Sequence, residues 1–73
     1  MNISIQMLLN NQYEVTVQSN TVTTHLVTLS DEVHEKLTKE KVTKKELLDF
    51  SFKFLLDREP NTSILSFFEL SSS

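Results

Sequence analysis

Histidine is the side chain best suited to proton transfer or metal binding near neutral pH, and the chain has two, His25 and His34. The run His34-Glu35-Lys36-Leu37-Thr38 opens with the spacing by which one helix face holds zinc between two imidazoles four residues apart, with the glutamate as base. Thr38 stands where the second imidazole is needed, so the ligand set is incomplete and His34 is read as neither ligand nor base. Asp31, Glu32 and Glu35 lie close together, but acidic residues in the first turn of a helix are explained by the helix dipole without any proton transfer. The chain has no Cys and no Gly. A thiol nucleophile and a thiolate zinc site are thereby excluded, and so are the glycine-rich loops that let a backbone close around a phosphate. The reading is of a protein with no catalytic residues, no metal and no cofactor.

The elements that would position these residues follow from periodicity. From Tyr13 to Val17 apolar and polar residues alternate, and Val22 to Leu29 is dense in β-branched residues, which predicts two strands of a hairpin. Gln18-Ser19-Asn20-Thr21 supplies the turn, with Asn20 the residue best able to take a left-handed conformation. If Leu29 faces the core, His25 and Val27 share its face and His25 becomes a hydrogen-bonded structural residue, while Thr24, Leu26 and Thr28 take the other side. Ile3 and Ile5 add an outer strand within residues 1–10. Ser30 followed by Asp31 and Glu32 opens a first, short helix with Val33 and Leu37 on one face. Thr43-Lys44-Lys45-Glu46 reads as a capping box that opens a second helix, which Pro60 ends by Arg58 or Glu59.

The second helix is apolar over too much of its circumference. Leu47, Leu48, Phe50, Phe52, Phe54, Leu55 and Leu56 cover an arc of roughly 240°, whereas a helix packed on one side needs only about 100°. Only Asp49, Lys53 and Asp57 form a polar strip, and Ser51, small and near the middle of the arc, would let another helix approach closely. The tail, residues 61–73, is expected to carry a short amphipathic helical segment over Ile64–Leu70, capped by Asn61, Thr62 or Ser63. It would serve either as a lid on the core or as a docking segment led by Phe67, Phe68 and Leu70. The expected fold is thus α+β: a small ββαα domain, an N-terminal β-hairpin followed by two helices and a short C-terminal helical segment, in a single domain over residues 1–73.

At 73 residues such a fold buries a small core, and with no cysteine to form disulfides, oligomerisation or a partner is the usual remedy. The formal net charge of -3 argues against generic binding to nucleic acid or anionic membranes. All 7 basic residues lie between Lys36 and Arg58, clustered at Lys36, Lys39, Lys41, Lys44 and Lys45 among Glu35, Glu40 and Glu46, the pattern of a solvated helix connection. Residues 1–9 have no basic start, no continuous apolar run and no cleavage site, and no window approaches the roughly 20 apolar residues of a membrane span. The expectation is a soluble chain with no membrane partner, most simply cytoplasmic. Asn61-Thr62-Ser63 matches a glycosylation sequon, which carries no meaning without secretion.

Val27-Thr28-Leu29-Ser30-Asp31-Glu32-Val33-His34-Glu35-Lys36-Leu37 and Thr43-Lys44-Lys45-Glu46-Leu47-Leu48-Asp49-Phe50-Ser51-Phe52 resemble the strand, first helix and second helix of the ribbon-helix-helix superfamily of DNA-binding repressors and antitoxins. The resemblance covers residues 24–59 and places Ser51 where that family has a small residue at the crossing of two copies. It implies an intertwined dimer whose paired strands enter the DNA major groove. Thr24, Leu26 and Thr28 would then face bases, and Thr43, Lys44 and Lys45 would hold phosphates. The turn between the helices is shorter than the family's and lacks its common glycine, and the base-reading face has no Arg, Lys, Asn or Gln.

The function expected first is therefore a non-enzymatic protein-interaction module, homodimeric through the second helix and presenting its tail or outer strand to another protein. Its dimer and partner contacts would come from Phe50, Ser51, Phe52, Phe54, Leu55, Phe67, Phe68 and Leu70. A regulator or inhibitor of a larger bacterial or phage assembly fits so small and glycine-free a chain. DNA binding by a ribbon-helix-helix-like repressor is the alternative.

Overall fold

A computed structural model describes residues 2–9, 11–39 and 41–70. Three antiparallel strands, β1 (Asn2–Leu9), β2 (Gln12–Gln18) and β3 (Val22–Thr28), are followed by two helices, α1 (Asp31–Thr38) and α2 (Lys44–Leu56). A 3-10 turn at Asn61–Ser63 then leads to a short strand, β4 (Phe67–Glu69). The sheet runs β1-β2-β3-β4, and β4 lies parallel to β3. The class is α+β, with four strands in place of the expected hairpin.

The strand period decides what the sheet buries. Tyr13, Val15 and Val17 of β2 and His25 and Val27 of β3 point to one face, with Leu29 beyond the end of β3. The register sets Ile5 beside Val15 and Ile3 beside Val17. Leu48 and Phe52 of α2 close over this face and, with Ile64, complete the core. Four residues apart, they occupy one stripe of the helix. The opposite face carries Ser4, Gln6, Glu14, Thr16, Thr24, Leu26 and Thr28, all exposed or half-buried.

Both helix starts follow the sequence. The Ser30 hydroxyl accepts from the Val33 N–H, and Thr43 and Glu46 form a complete capping box, with Glu46 accepting from the Thr43 N–H at 3.0 Å. Each cap satisfies donors that the first turn leaves without partners. α1 ends at Lys39, which takes the left-handed conformation at φ 52°.

Two expectations are corrected. Asn20 is not left-handed: among the described residues the positive φ angles belong to Asn11 (65°) and Lys39. Asn11 occupies the β1–β2 turn, where its carbonyl accepts from the Leu29 N–H at 2.7 Å. The tail is also not helical over Ile64–Leu70. Helix formation there would leave the outer edge of β3 without partners, and unpaired backbone groups are costly where water is excluded. The Leu26 N–H instead donates to the Ser66 carbonyl at 2.7 Å, and the Leu70 N–H to the Thr28 carbonyl at 2.9 Å. In this extended form Ile64, Phe68 and Leu70 pack against the core.

Candidate interaction surface

The two histidines, the buried Asn61 and Lys44 each have structural hydrogen-bond partners. His25 is 1% exposed and lies against the Phe52 ring with centroids 5.5 Å apart. Its Nδ1 donates to the Leu65 carbonyl at 2.8 Å, which leaves Nε2 to accept from the Thr23 hydroxyl at 2.8 Å. Thr23 Oγ1 in turn accepts from the Asn61 side-chain amide at 3.0 Å. Asn61, 5% exposed, directs the same amide nitrogen at the Thr21 carbonyl (3.0 Å) and the Val17 carbonyl (3.5 Å). This chain of bonds ties the 3-10 turn and the tail to the β2–β3 hairpin. It also buries the sequon asparagine, so the folded domain offers no acceptor amide there.

His34 donates through Nε2 to the Val42 carbonyl, bracing the connection between the helices. Lys44 donates from Nζ to Asn11 Oδ1 at 2.8 Å and pairs with the Asp31 carboxylate. The ammonium holds the Asp31 carboxyl below its ordinary pKa, first through the hydrogen bond and then through its charge. Lys44 thus links the β1–β2 turn to the starts of both helices. Among the described residues no group of His, Asp and Glu is arranged to hold a metal ion, and no buried side-chain nitrogen or oxygen lacks a partner.

The residues expected to touch DNA are not brought onto one surface. Thr24, Leu26 and Thr28 lie on the open face of the sheet, while Thr43, Lys44 and Lys45 belong to the helical layer on the other face. β3, which would have to pair with a second copy in a ribbon, has β2 on one edge and β4 on the other. It has no edge to offer.

The apolar surplus of α2 behaves differently. Phe52 is core, which removes it from the expected contact residues, and Phe68 is half-buried beside it with ring centroids 5.9 Å apart. Phe50 and Phe54 point away from the sheet, 69% and 50% exposed, and Leu65 and Phe67 of the tail are 69% and 73% exposed. Phe50, Ser51, Phe54, Leu55 and Leu70 line a shallow depression of about 310 Å³. Leu55, Ile64, Leu65 and Phe68, with Glu59 and Ser63, line an adjoining one of about 220 Å³. The Arg58 guanidinium sits 3.9 Å from the centre of the Phe54 ring, a cation–π contact that holds the exposed ring in place. The flank of α2 and the tail residues Leu65, Phe68 and Leu70 therefore form one apolar surface on the helical side of the molecule, whereas Phe67, paired with Leu26, belongs to the open face of the sheet. Sequence reasoning named Phe50, Ser51, Phe54, Leu55, Phe68 and Leu70 of this surface but not Leu65, and could not divide its apolar residues between core and surface.

A second exposed feature escaped the sequence reading. β1 is an eight-residue edge strand with no charged residue and no proline, two of the devices that keep sheet edges from pairing. Met7, Leu8 and Leu9 are exposed at its end, where the register shifts in a bulge. Among the described residues no helix is long and apolar enough to cross a membrane. No protein-family model, curated protein or solved structure matches this chain.

Proposed function

We propose that the chain is a non-enzymatic interaction module that self-associates through the flank of α2 and the adjoining tail, and that its role is to present or occlude a surface of another protein. The observation that carries this reading is the uncovered apolar surface of Phe50, Phe54 and Leu65. At the surface area typical of such side chains, their exposures leave on the order of 400 Å² of apolar area in water. Patches of that size on a single chain are usually binding sites. Among the described residues every buried side-chain nitrogen and oxygen has a hydrogen-bond partner, which supports a binding role over a catalytic one.

Light scattering over a concentration series tests the reading. The wild-type chain is expected to run at twice its own mass, and the Phe50→Lys/Phe54→Lys variant at the single mass with unchanged circular dichroism. Both substitutions fall on exposed positions, so loss of the fold is not the expected result. A wild-type chain that stays single at all concentrations would remove self-association from the proposal.

A further inference from the structure

We infer that the occupant of this surface is a second copy of the chain, seated by antiparallel pairing of β4 with β4 of the copy about a two-fold axis at Phe68. This rests on the self-association proposed above and specifies its geometry. Ser66 accepts from Leu26 and Leu70 donates to Thr28, so the alternate residues Ser66, Phe68 and Leu70 turn their backbone groups toward β3. The N–H and C=O groups of Phe67 and Glu69 consequently point to the free edge. With the axis at Phe68, Phe67 lies opposite Glu69 of the copy, and each such pair exchanges two hydrogen bonds.

Neighbouring registers are worse. An axis at Glu69 sets two like charges directly opposite each other. An axis at Phe67 draws on the Leu65 carbonyl, which already accepts from His25. At Phe68 the two Phe68 rings lie side by side on the helical face, Leu70 meets Ser66 of the copy, and the two Glu69 carboxylates are only diagonal neighbours. Both α2 helices then stand on the same face of one continuous sheet, with their Phe50 and Phe54 flanks turned toward the axis. The area is sufficient as well. A standard interface buries about 800 Å² per partner and a homodimer's is about 65% apolar; Phe50, Phe54 and Leu65 supply about 400 Å² of this on the helical face, and Phe67, on the open face opposite Glu69 of the copy, adds to it.

Proline scanning tests the pairing. Phe67→Pro removes an N–H that faces the free edge and not β3, a change an edge strand tolerates, and Phe67→Ala keeps it. The expected result is a dimer for wild type and Phe67→Ala and a single chain for Phe67→Pro at the same concentration. Independently, Ser66→Cys with Leu70→Cys, in a chain otherwise without cysteine, should oxidise to a covalent dimer because these positions face each other across the axis. A Phe67→Pro dimer as stable as that of Phe67→Ala, or a doubly substituted chain that never cross-links, would overturn the β4 pairing while leaving self-association intact. A single-chain wild type would overturn both.

Discussion

Replacing the Asn61 amide by a carboxylate should unfold the domain far more readily at neutral than at acidic pH. Asn61→Asp exchanges one NH₂ for an oxygen with almost no change of shape. The lost nitrogen donates toward the Val17 and Thr21 carbonyls and the Thr23 hydroxyl, so the new oxygen faces three acceptors at a position that is 5% exposed. An unpaired charge in such a place costs about 3–5 kcal/mol. A 73-residue chain has about 4–11 kcal/mol in total, so the variant loses a large fraction of its stability. At about 4–8 °C per kcal/mol for a domain of this size, the melting temperature falls by at least about 12 °C. Burial and the facing oxygens disfavour the charged carboxyl, which raises its pKa in the folded state above the unfolded value. The folded state then holds its proton longer, so the deficit is smallest below the unfolded pKa and reaches its full size as pH rises through the folded one. Thermal melts of wild type and variant at pH 4 and pH 7 read this directly. Equal melting temperatures at pH 7, or a difference that does not change with pH, would show that the Asn61 amide does not hold the tail.

Phe52 and Phe54 are two residues apart and should respond in opposite ways. Phe52→Ala is expected to cost about 3–5 kcal/mol in denaturant unfolding, as a buried ring does, whereas Phe54→Ala should cost the single chain about 1 kcal/mol or less and weaken self-association at least tenfold, since the exposed half of the ring is worth about 2.5 kcal/mol when buried. Equal unfolding costs would place both rings in the core. Lys44→Ala removes the ammonium that stabilises the Asp31 carboxylate, so the Asp31 side-chain pKa, followed by NMR, should rise toward the ordinary aspartate value. An unmoved titration would mean the pair is not formed in solution.

Local signals in the sequence carried most of the fold. Ser30 and Thr43 marked the helix starts because a capping side chain acts within three residues, and the alternation at Tyr13, Val15 and Val17 marked β2 because one face of it is fully buried. The side occupied by His25, Val27 and Leu29 followed from the same period. What failed depended on distant partners. Ile64–Leu70 has apolar residues that fit a helix or a strand, and the choice was made by β3, whose outer edge needed hydrogen bonds that only the tail could reach. Lys44 reads from sequence as part of a solvated connection, or as a phosphate ligand under the DNA-binding alternative, because nothing nearby in sequence reveals Asn11 and Asp31 beside its amine. Asn61 was read as a cap or a sequon, while its bonds run to Val17, Thr21 and Thr23 some forty residues away. The candidate surface was legible as a surplus of apolar residues on α2, but which of them the sheet would cover was not.

That surplus is the functional argument, because the chain treats its uncovered surfaces unequally. The open face of the sheet has no helix over it, and apart from Leu26 and Phe67 at its β4 side it is built from Ser4, Gln6, Glu14, Thr16, Thr24 and Thr28, side chains that can face water. The α2 flank is equally uncovered, yet it presents Phe50 and Phe54, continued by Leu65 in the tail. A helix with a single buried stripe at Leu48 and Phe52 could carry polar residues at 50 and 54 without touching the core, as it does at Asp49 and Lys53, whose side chains pair with each other at 2.9 Å. Leaving two aromatic rings in water adds nothing to the stability of an isolated chain and creates an association liability. Their placement beside the free edge of β4 turns that liability into a directed contact. Hydrogen bonds along β4 fix the register, and the rings on α2 supply the area.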